Sequence, residues 1–303
     1  MGYACLGGGR LRRVPEAQLN LPSPLVELDD NRFTRHGVRL YLKRDDLIHP
    51  ELRGNKWRKL RLNLIAAREQ GFTRLLTFGG AFSNHISATA AAGRHFGFST
   101  VGVIRGEAHL PLNDTLSAAA DQGMELTYLD RGTYRRAMDP EVLDGLRQRF
   151  GRCYVLPEGG SNALAVRGCT EVPAEITVPF DVICCACGTG GTLAGIAGGL
   201  RAGQRAIGFS ALKGGQFLTG DVDALQQEAF GKASDNWSIE TDFHFGGFAK
   251  RTAELDAFIE DFAARHSIVL DRIYVAKMLY GLLRLTERKT FAPGTTMIAV
   301  VTG

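Results

Sequence analysis

Three short stretches place glycine beside groups that can do chemistry. In Gly188-Thr189-Gly190-Gly191-Thr192 the glycines allow positive φ and close approach of backbone N–H groups, and the threonines add hydroxyl donors. A helix opening there would turn its positive end to the same spot, so the natural occupant is an anion, most simply a phosphate. Gly54-Asn55-Lys56 sets an amine at the head of a helical pattern, and Gly79-Gly80-Ala81-Phe82-Ser83-Asn84-His85 sets a hydroxyl and an amide before a histidine. Plainer accounts exist for each residue. The glycines would serve a tight turn, Lys56 a solvated basic run with Arg53, Arg58 and Lys59, Ser83 or Asn84 a helix N-cap of about 1 kcal/mol, and His85 a structural role.

Each stretch needs a strand leading in and a helix leading out. Val182–Cys187 is a continuous apolar run, as expected of a parallel strand covered on both faces, and a helix follows from about Thr192. Arg74–Phe78 plays the same part before Ser83-Asn84, with an alanine-rich helix to His95, and Val38–Lys43 precedes a helix from about Trp57 to Gln70. Tyr154–Leu156 leads into a third such turn, Pro157-Glu158-Gly159-Gly160-Ser161-Asn162. Strands at 100–104, 126–129, 206–211 and 297–301 alternate with helices at 113–122, 139–150, 221–230, 252–266 and 273–289. That alternation predicts βαβ units and an α/β fold with open, mostly parallel sheets flanked by helices. The segment before Pro24 reads as an irregular lead-in.

Composition narrows the function classes. The 303 residues are 45% hydrophobic, enough for a full core, and the 36 basic and 32 acidic residues are interspersed to a net +4, which favours neither nucleic acid nor membrane. Cys5, Cys153, Cys169, Cys184, Cys185 and Cys187 are too few for a disulfide scaffold. The C-C-x-C spacing is a poor metal site, because along a strand Cys184 faces away from Cys185 and Cys187 and no histidine is near. The sequence has no apolar signal core at its start and no run of ~20 apolar residues. A soluble cytoplasmic protein without a metal is expected.

An amine, a polar pair and an anion cradle on three separate turns make up the parts of a pyridoxal phosphate site. That cofactor needs a lysine for its aldehyde, a phosphate nest, and partners for its ring hydroxyl and ring nitrogen. In type and order these residues resemble the fold type II pyridoxal phosphate enzymes related to the tryptophan synthase β chain. More closely, the chain resembles the 1-aminocyclopropane-1-carboxylate deaminase and D-cysteine desulfhydrase family. The resemblance is carried by LPSPLVEL, LYLKRDDL, GNKWRKL, GGAFSNH, PEGGSNALAVRG, CGTGGTLAG, IYVAK and the terminal VTG, which together cover nearly the whole chain. It implies a large domain of residues 1–58 and 158–303 with an inserted small domain of 59–157, and a homodimer. Lys56 would bond the cofactor aldehyde and act in catalysis with Ser83 and Tyr274. Asn84 would meet the ring hydroxyl, Gly188, Thr189, Gly190, Gly191 and Thr192 the phosphate, and Thr302 the ring nitrogen. The small amino-acid substrate would meet Ser83, Asn84, His85, Gly160, Ser161, Phe248 and Tyr274.

Three departures from the family pattern bear on the reaction. Phe248 replaces a tyrosine, Val275 follows Tyr274 where a deaminase carries glutamate, and Thr302 stands in place of that glutamate's apolar companion. A neutral hydroxyl at the ring nitrogen makes a weaker electron sink than a carboxylate. The sequence also stops at Gly303, where relatives continue past a Gly-Gly. These features favour a lyase that releases a keto acid and ammonia from a small amino acid by αβ-elimination, as a D-cysteine desulfhydrase does. The alternatives are the cyclopropane deaminase and a cofactor-binding relative with little turnover. A dinucleotide oxidoreductase is disfavoured, because no acidic residue stands about 20 positions beyond Gly188–Gly195 to take a ribose hydroxyl.

Overall fold

A computed structural model describes residues 19–52 and 54–302, so Cys5, Arg53, Gly303 and most of the lead-in lie outside the described residues. The strands run β1 Leu25–Leu28, β2 Arg39–Arg44, β3 Arg74–Gly79, β4 Ser99–Arg105, β5 Met124–Leu129, β6 Tyr154–Leu156, β7 Val182–Cys187, β8 Arg205–Ser210, β9 Trp237–Glu240 and β10 Thr296–Val301. Contacts divide the described residues into two units, one built on Leu60–Gly160 and the other on Asn20–Lys59 with the segment from Ser161 onwards. The divisions fall after Lys59 and Gly160, against expected ones after 58 and 157.

In the larger unit the sheet order is β1-β2-β10-β7-β8-β9, with β1 antiparallel to β2 and the remaining pairs parallel. Every residue of β7 and β10 is buried, which is why both read as unbroken apolar runs rather than as alternating ones. The pleat then sorts their side chains. Val182, Cys184, Ala186, Met297 and Ala299 pack in one core with the helices Ala253–His266 and Val275–Glu287. Ile183, Cys185, Cys187, Ile298 and Val300 pack in another with the helices Gly191–Gly198 and Leu218–Phe230. Cys184 thus faces away from Cys185 and Cys187, and all five cysteines among the described residues are buried and free.

In the smaller unit four parallel strands run in the order β5-β4-β3-β6. Ile86 and Ala90 of the helix Asn84–Phe96 and Leu116 and Ala119 of the helix Asp114–Asp121 cover one face. Leu146 and Phe150 of the helix Pro140–Phe150, with Tyr134, cover the other. The N-caps follow side-chain chemistry: Ser83, Asn113, Asn162 and Thr252 each accept a backbone N–H of their own helix.

Several short elements escape sequence reading, among them β1, β9 and the helices Asn31–Thr34, Arg131–Arg135 and Glu171–Ala174; the two strands are largely exposed or half-buried edges. None is long enough to express a period. Among the described residues no helix is long and apolar enough to cross a membrane.

Candidate active site

The helix Asn55–Glu69 opens on Lys56, and its start is fixed from several sides within the larger unit. Gly54 has φ 61°, and a Cβ there would lie 1.5 Å from the Thr302 carbonyl oxygen, so no other residue fits. Its N–H donates to Asp45 O at 3.0 Å. The Asp45 carboxylate accepts from Arg58 Nε at 2.6 Å and Nη2 at 2.7 Å, while Arg58 also holds both oxygens of Glu175 at 2.9 Å. Lys43 Nζ completes the group, 2.6 Å from Glu175 Oε2 and 2.6 Å from Ser23 O. Arg58, Lys43 and Asp45 are wholly buried, and two cations balance two carboxylates. Although burial pushes the Glu175 carboxyl up, the bonds and charges of Arg58 and Lys43 hold it below the usual carboxylate range. The plainer account of the basic run would put Arg58 and Lys59 on a solvated face; both are buried. Their partners lie up to 130 positions away in the chain, where local charge patterning gives no sign of them.

Lys59 marks the anion cradle. Its ammonium donates to Ser161 Oγ at 2.8 Å and to Thr189 Oγ1 at 3.5 Å, and those hydroxyls lie 2.6 Å apart. A Cβ at Gly191 would sit 2.6 Å from Ser161 Oγ and 3.1 Å from Lys59 Nζ, so glycine keeps that space open. Gly190 has φ 75° at the N-cap of the helix Gly191–Gly198, and Asn55 Nδ2 donates to Thr192 Oγ1 at 2.6 Å. A buried cation, two hydroxyls and a glycine-opened helix start fit a phosphate group. Ser161, expected at the substrate, lies with Thr189 in this cradle. Lys59 could have been found from the sequence only by its spacing: it is one turn on from Asn55 and Lys56, on the same face.

Lys56 is half-buried as a residue, and its amine is pushed down to about 7, first by burial and then by the Lys59 charge. Burial also lowers Lys59 and raises the Cys169 thiol to about 11. An amine that is substantially neutral near pH 7 can attack an aldehyde or take a proton. Tyr274 stands on the other side of the glycine turn, where a Cβ at Gly188 would be 3.2 Å from its hydroxyl. Phe248 meets the Tyr274 ring edge-on with centroids 6.0 Å apart. Val275 is wholly buried in the core at the first turn of its helix. Lys56, Ser161, Gly188–Thr192, Phe248, Tyr274 and Thr302 therefore all belong to the larger unit.

Ser83, Asn84, His85 and Gly160 belong to the smaller unit. Ser83 accepts Ile86 N–H at 3.5 Å as N-cap, and Asn84 is exposed at the first helical position. The His85 ring is buried, with Nε2 2.8 Å from Thr77 Oγ1, whose hydroxyl donates to Leu156 O at 3.1 Å. The Thr77 proton being committed to that carbonyl, His85 Nε2 carries the hydrogen. A Cβ at Gly160 would lie 2.6 Å from His85 Cε1, so the ring is clamped between β3 and the 158–160 turn.

Comparison with known proteins agrees with this chemistry. The family model described as pyridoxal-phosphate dependent enzyme matches residues 17–303. A Pyrococcus horikoshii protein provisionally named a 1-aminocyclopropane-1-carboxylate deaminase is 31% identical, over 92% of this chain and 89% of its own. A D-cysteine desulfhydrase of Klebsiella pneumoniae is 29% identical, over 97% and 95%. The crystal structure of a homologue of 1-aminocyclopropane-1-carboxylate deaminase superposes with TM-score 0.82 at 30% identity, over 93% of this chain and 89% of that one. The chain belongs to the pyridoxal-phosphate-dependent enzymes of fold type II, in the group that includes 1-aminocyclopropane-1-carboxylate deaminases and D-cysteine desulfhydrases.

Proposed function

We propose that this chain is a lyase of the D-cysteine desulfhydrase type, converting D-cysteine and water to pyruvate, sulfide and ammonia. The observation that carries the choice is Val275, an apolar side chain buried in the core where a deaminase of this group is expected to carry a carboxylate. The bound cofactor supplies an electron sink for the bond broken at the substrate α-carbon. Lys59, Ser161, Thr189, Thr192 and the N–H groups of Gly190 and Gly191 would hold its phosphate. By the family resemblance, Thr302 would offer the ring nitrogen a neutral hydroxyl and Asn84 would serve the ring hydroxyl. Ser83 receives the substrate carboxylate. Lys56, with an amine near neutrality, takes the α-proton while the thiol departs. Tyr274, with Phe248 packed edge-on against its ring, would face the substrate.

Opening a cyclopropane ring offers no α-proton to take and asks more of the electron sink, with strong acid–base help at a ring carbon. Phe248 cannot give that help, and Thr302 is a weak partner for the ring nitrogen. Purified enzyme should therefore release pyruvate and sulfide from D-cysteine and little ammonia from 1-aminocyclopropane-1-carboxylate. Tyr274→Phe should lower turnover more than cofactor affinity. Comparable ammonia release from the cyclopropane would overturn the reading and favour the deaminase. The family resemblance further supports a homodimer, which sedimentation velocity of the purified protein tests.

A further inference from the structure

The loop from His244 to Lys250 runs through backbone conformations that side chains resist. Phe245 and Ala249 have φ 51° and 56°, and Gly246 and Gly247 between them have φ 86° and 119°. Left-handed backbone at non-glycine residues persists only where the surroundings over-determine it. Two residues of the helix Val275–Glu287 do so here. Tyr280 packs edge-on against Phe245 with centroids 4.9 Å apart. Lys277 Nζ donates to Gly247 O at 2.8 Å and to Ala211 O, just beyond β8, at 3.2 Å. A buried ammonium is costly unless bonded, and Lys277 is only 2% exposed, so its two carbonyl bonds fix where the loop can lie. Asp271 completes the arrangement, its carboxylate accepting the N–H groups of Ile273, Tyr274 and Val275 at 3.0, 2.8 and 2.7 Å. The helix start that carries Tyr274 is therefore pinned by the half-buried Asp271 carboxylate, and the loop that carries Phe248 by the buried Lys277 ammonium. Where the two pins meet, Phe248 stands edge-on to Tyr274.

We propose that Lys277 is a positioning residue for the substrate face, holding the strained 244–250 loop so that Phe248 packs on Tyr274. This rests on the reading that those two aromatic residues meet substrate. Lys277 touches neither the cradle nor Lys56, so its loss should leave cofactor binding intact.

The loop carries exposed Lys250 and Arg251, so trypsin reports its release without any assay of turnover. In the cofactor-loaded Lys277→Met enzyme, cleavage at Lys250 or Arg251 should accelerate ~10-fold or more. The visible absorption of the cofactor should be unchanged, and KM for D-cysteine should rise ~10-fold with kcat within ~3-fold. Adding Ala249→Gly, which adopts the left-handed conformation freely, should restore part of the protection. If Lys277→Met does not fold, Gly247→Ala, which forces a side chain onto φ 119° at the held carbonyl, should give the same fast cleavage and raised KM. Wild-type trypsin resistance and KM in a folded Lys277→Met or in Gly247→Ala overturn the proposal, as does a kcat loss with unchanged KM. If the wild-type enzyme turns over no D-amino acid, the functional reading fails, and the cleavage comparison alone decides whether Lys277 holds the loop.

Discussion

Lys56 and Lys59 are one helical turn apart, and the Lys59 charge adds to burial in loosening the hold of Lys56 on its proton. In the cofactor-free protein, carbamylation of Lys56 by cyanate should follow a titration near pH 7, whereas exposed lysines should go on gaining reactivity towards their ordinary pKa. Mass spectrometry of labelled peptides across a pH series reads this directly, and a Lys56 profile matching the exposed lysines would refute it. The same shift has a sign for stability. Between about 7 and the ordinary lysine value of 10.5 the unfolded chain holds this proton and the folded chain does not, so Lys56 makes stability rise with pH across that window and contributes no slope below it. Gly191→Ala would push a methyl towards Ser161 Oγ and Lys59 Nζ. It should weaken cofactor binding by about 1–3 kcal/mol, as an unsatisfied buried polar group does, seen as a raised Kd in an absorbance titration. Borohydride should fix the cofactor to wild-type protein and leave Lys56→Ala unlabelled; a label appearing on Lys59 or Lys213 instead would contradict the choice of Lys56.

At the scale of elements, the Arg58–Asp45–Glu175–Lys43 group ties the helix Asn55–Glu69 to β2 and to the Glu171–Ala174 helix end. Arg58→Met removes one cation and leaves Asp45 buried against its former partner. Breaking a buried pair in this way costs about 3–5 kcal/mol, which a urea midpoint will show; a change below about 1 kcal/mol would mean the group is not balanced as described. This group also marks what the sequence conceals. The strand, glycine turn and helix around Gly188 were legible because chain order alone sets apolar run, glycines and helix in sequence. The Ser83 cap was legible from its residue type. The burial of Arg58 and Lys59 was not, because four basic residues within seven positions look solvated until Glu175 and Ser161 arrive from the far part of the chain. Ser161 was assigned to substrate for a related reason: its neighbour Gly160 packs on His85, while its own hydroxyl turns to Thr189.

For the whole molecule, cofactor binding and folding are linked. With one site per chain, pyridoxal phosphate at 100 times its Kd should stabilise the fold by about 2.7 kcal/mol. Lys56→Ala, which keeps the cradle, should retain part of that gain at high cofactor, and Gly191→Ala should lose most of it. Thermal melts against cofactor concentration rank the two, and a larger loss in Lys56→Ala would place the main binding energy at the amine rather than at the phosphate. The fold class was readable at this scale because buried parallel strands must be apolar on both faces. The edge strands β1 and β9 were not, being short and half-exposed.

In the larger unit β10 lies between β2 and β7, although β2 is synthesised long before it. Thr302, which follows β10, is what Gly54 rests against. A nascent chain emerging from the ribosome therefore has its reactive amine in place early but lacks the floor beneath it until nearly every described residue is out. Such long-range pairing is slow to form, so the Gly54 turn that precedes the lysine is expected to settle late. Ribosome-bound chains stalled before residue 296 should fail to take up pyridoxal phosphate, and those with β10 clear of the exit tunnel should bind it, so that the last described strand arms the site.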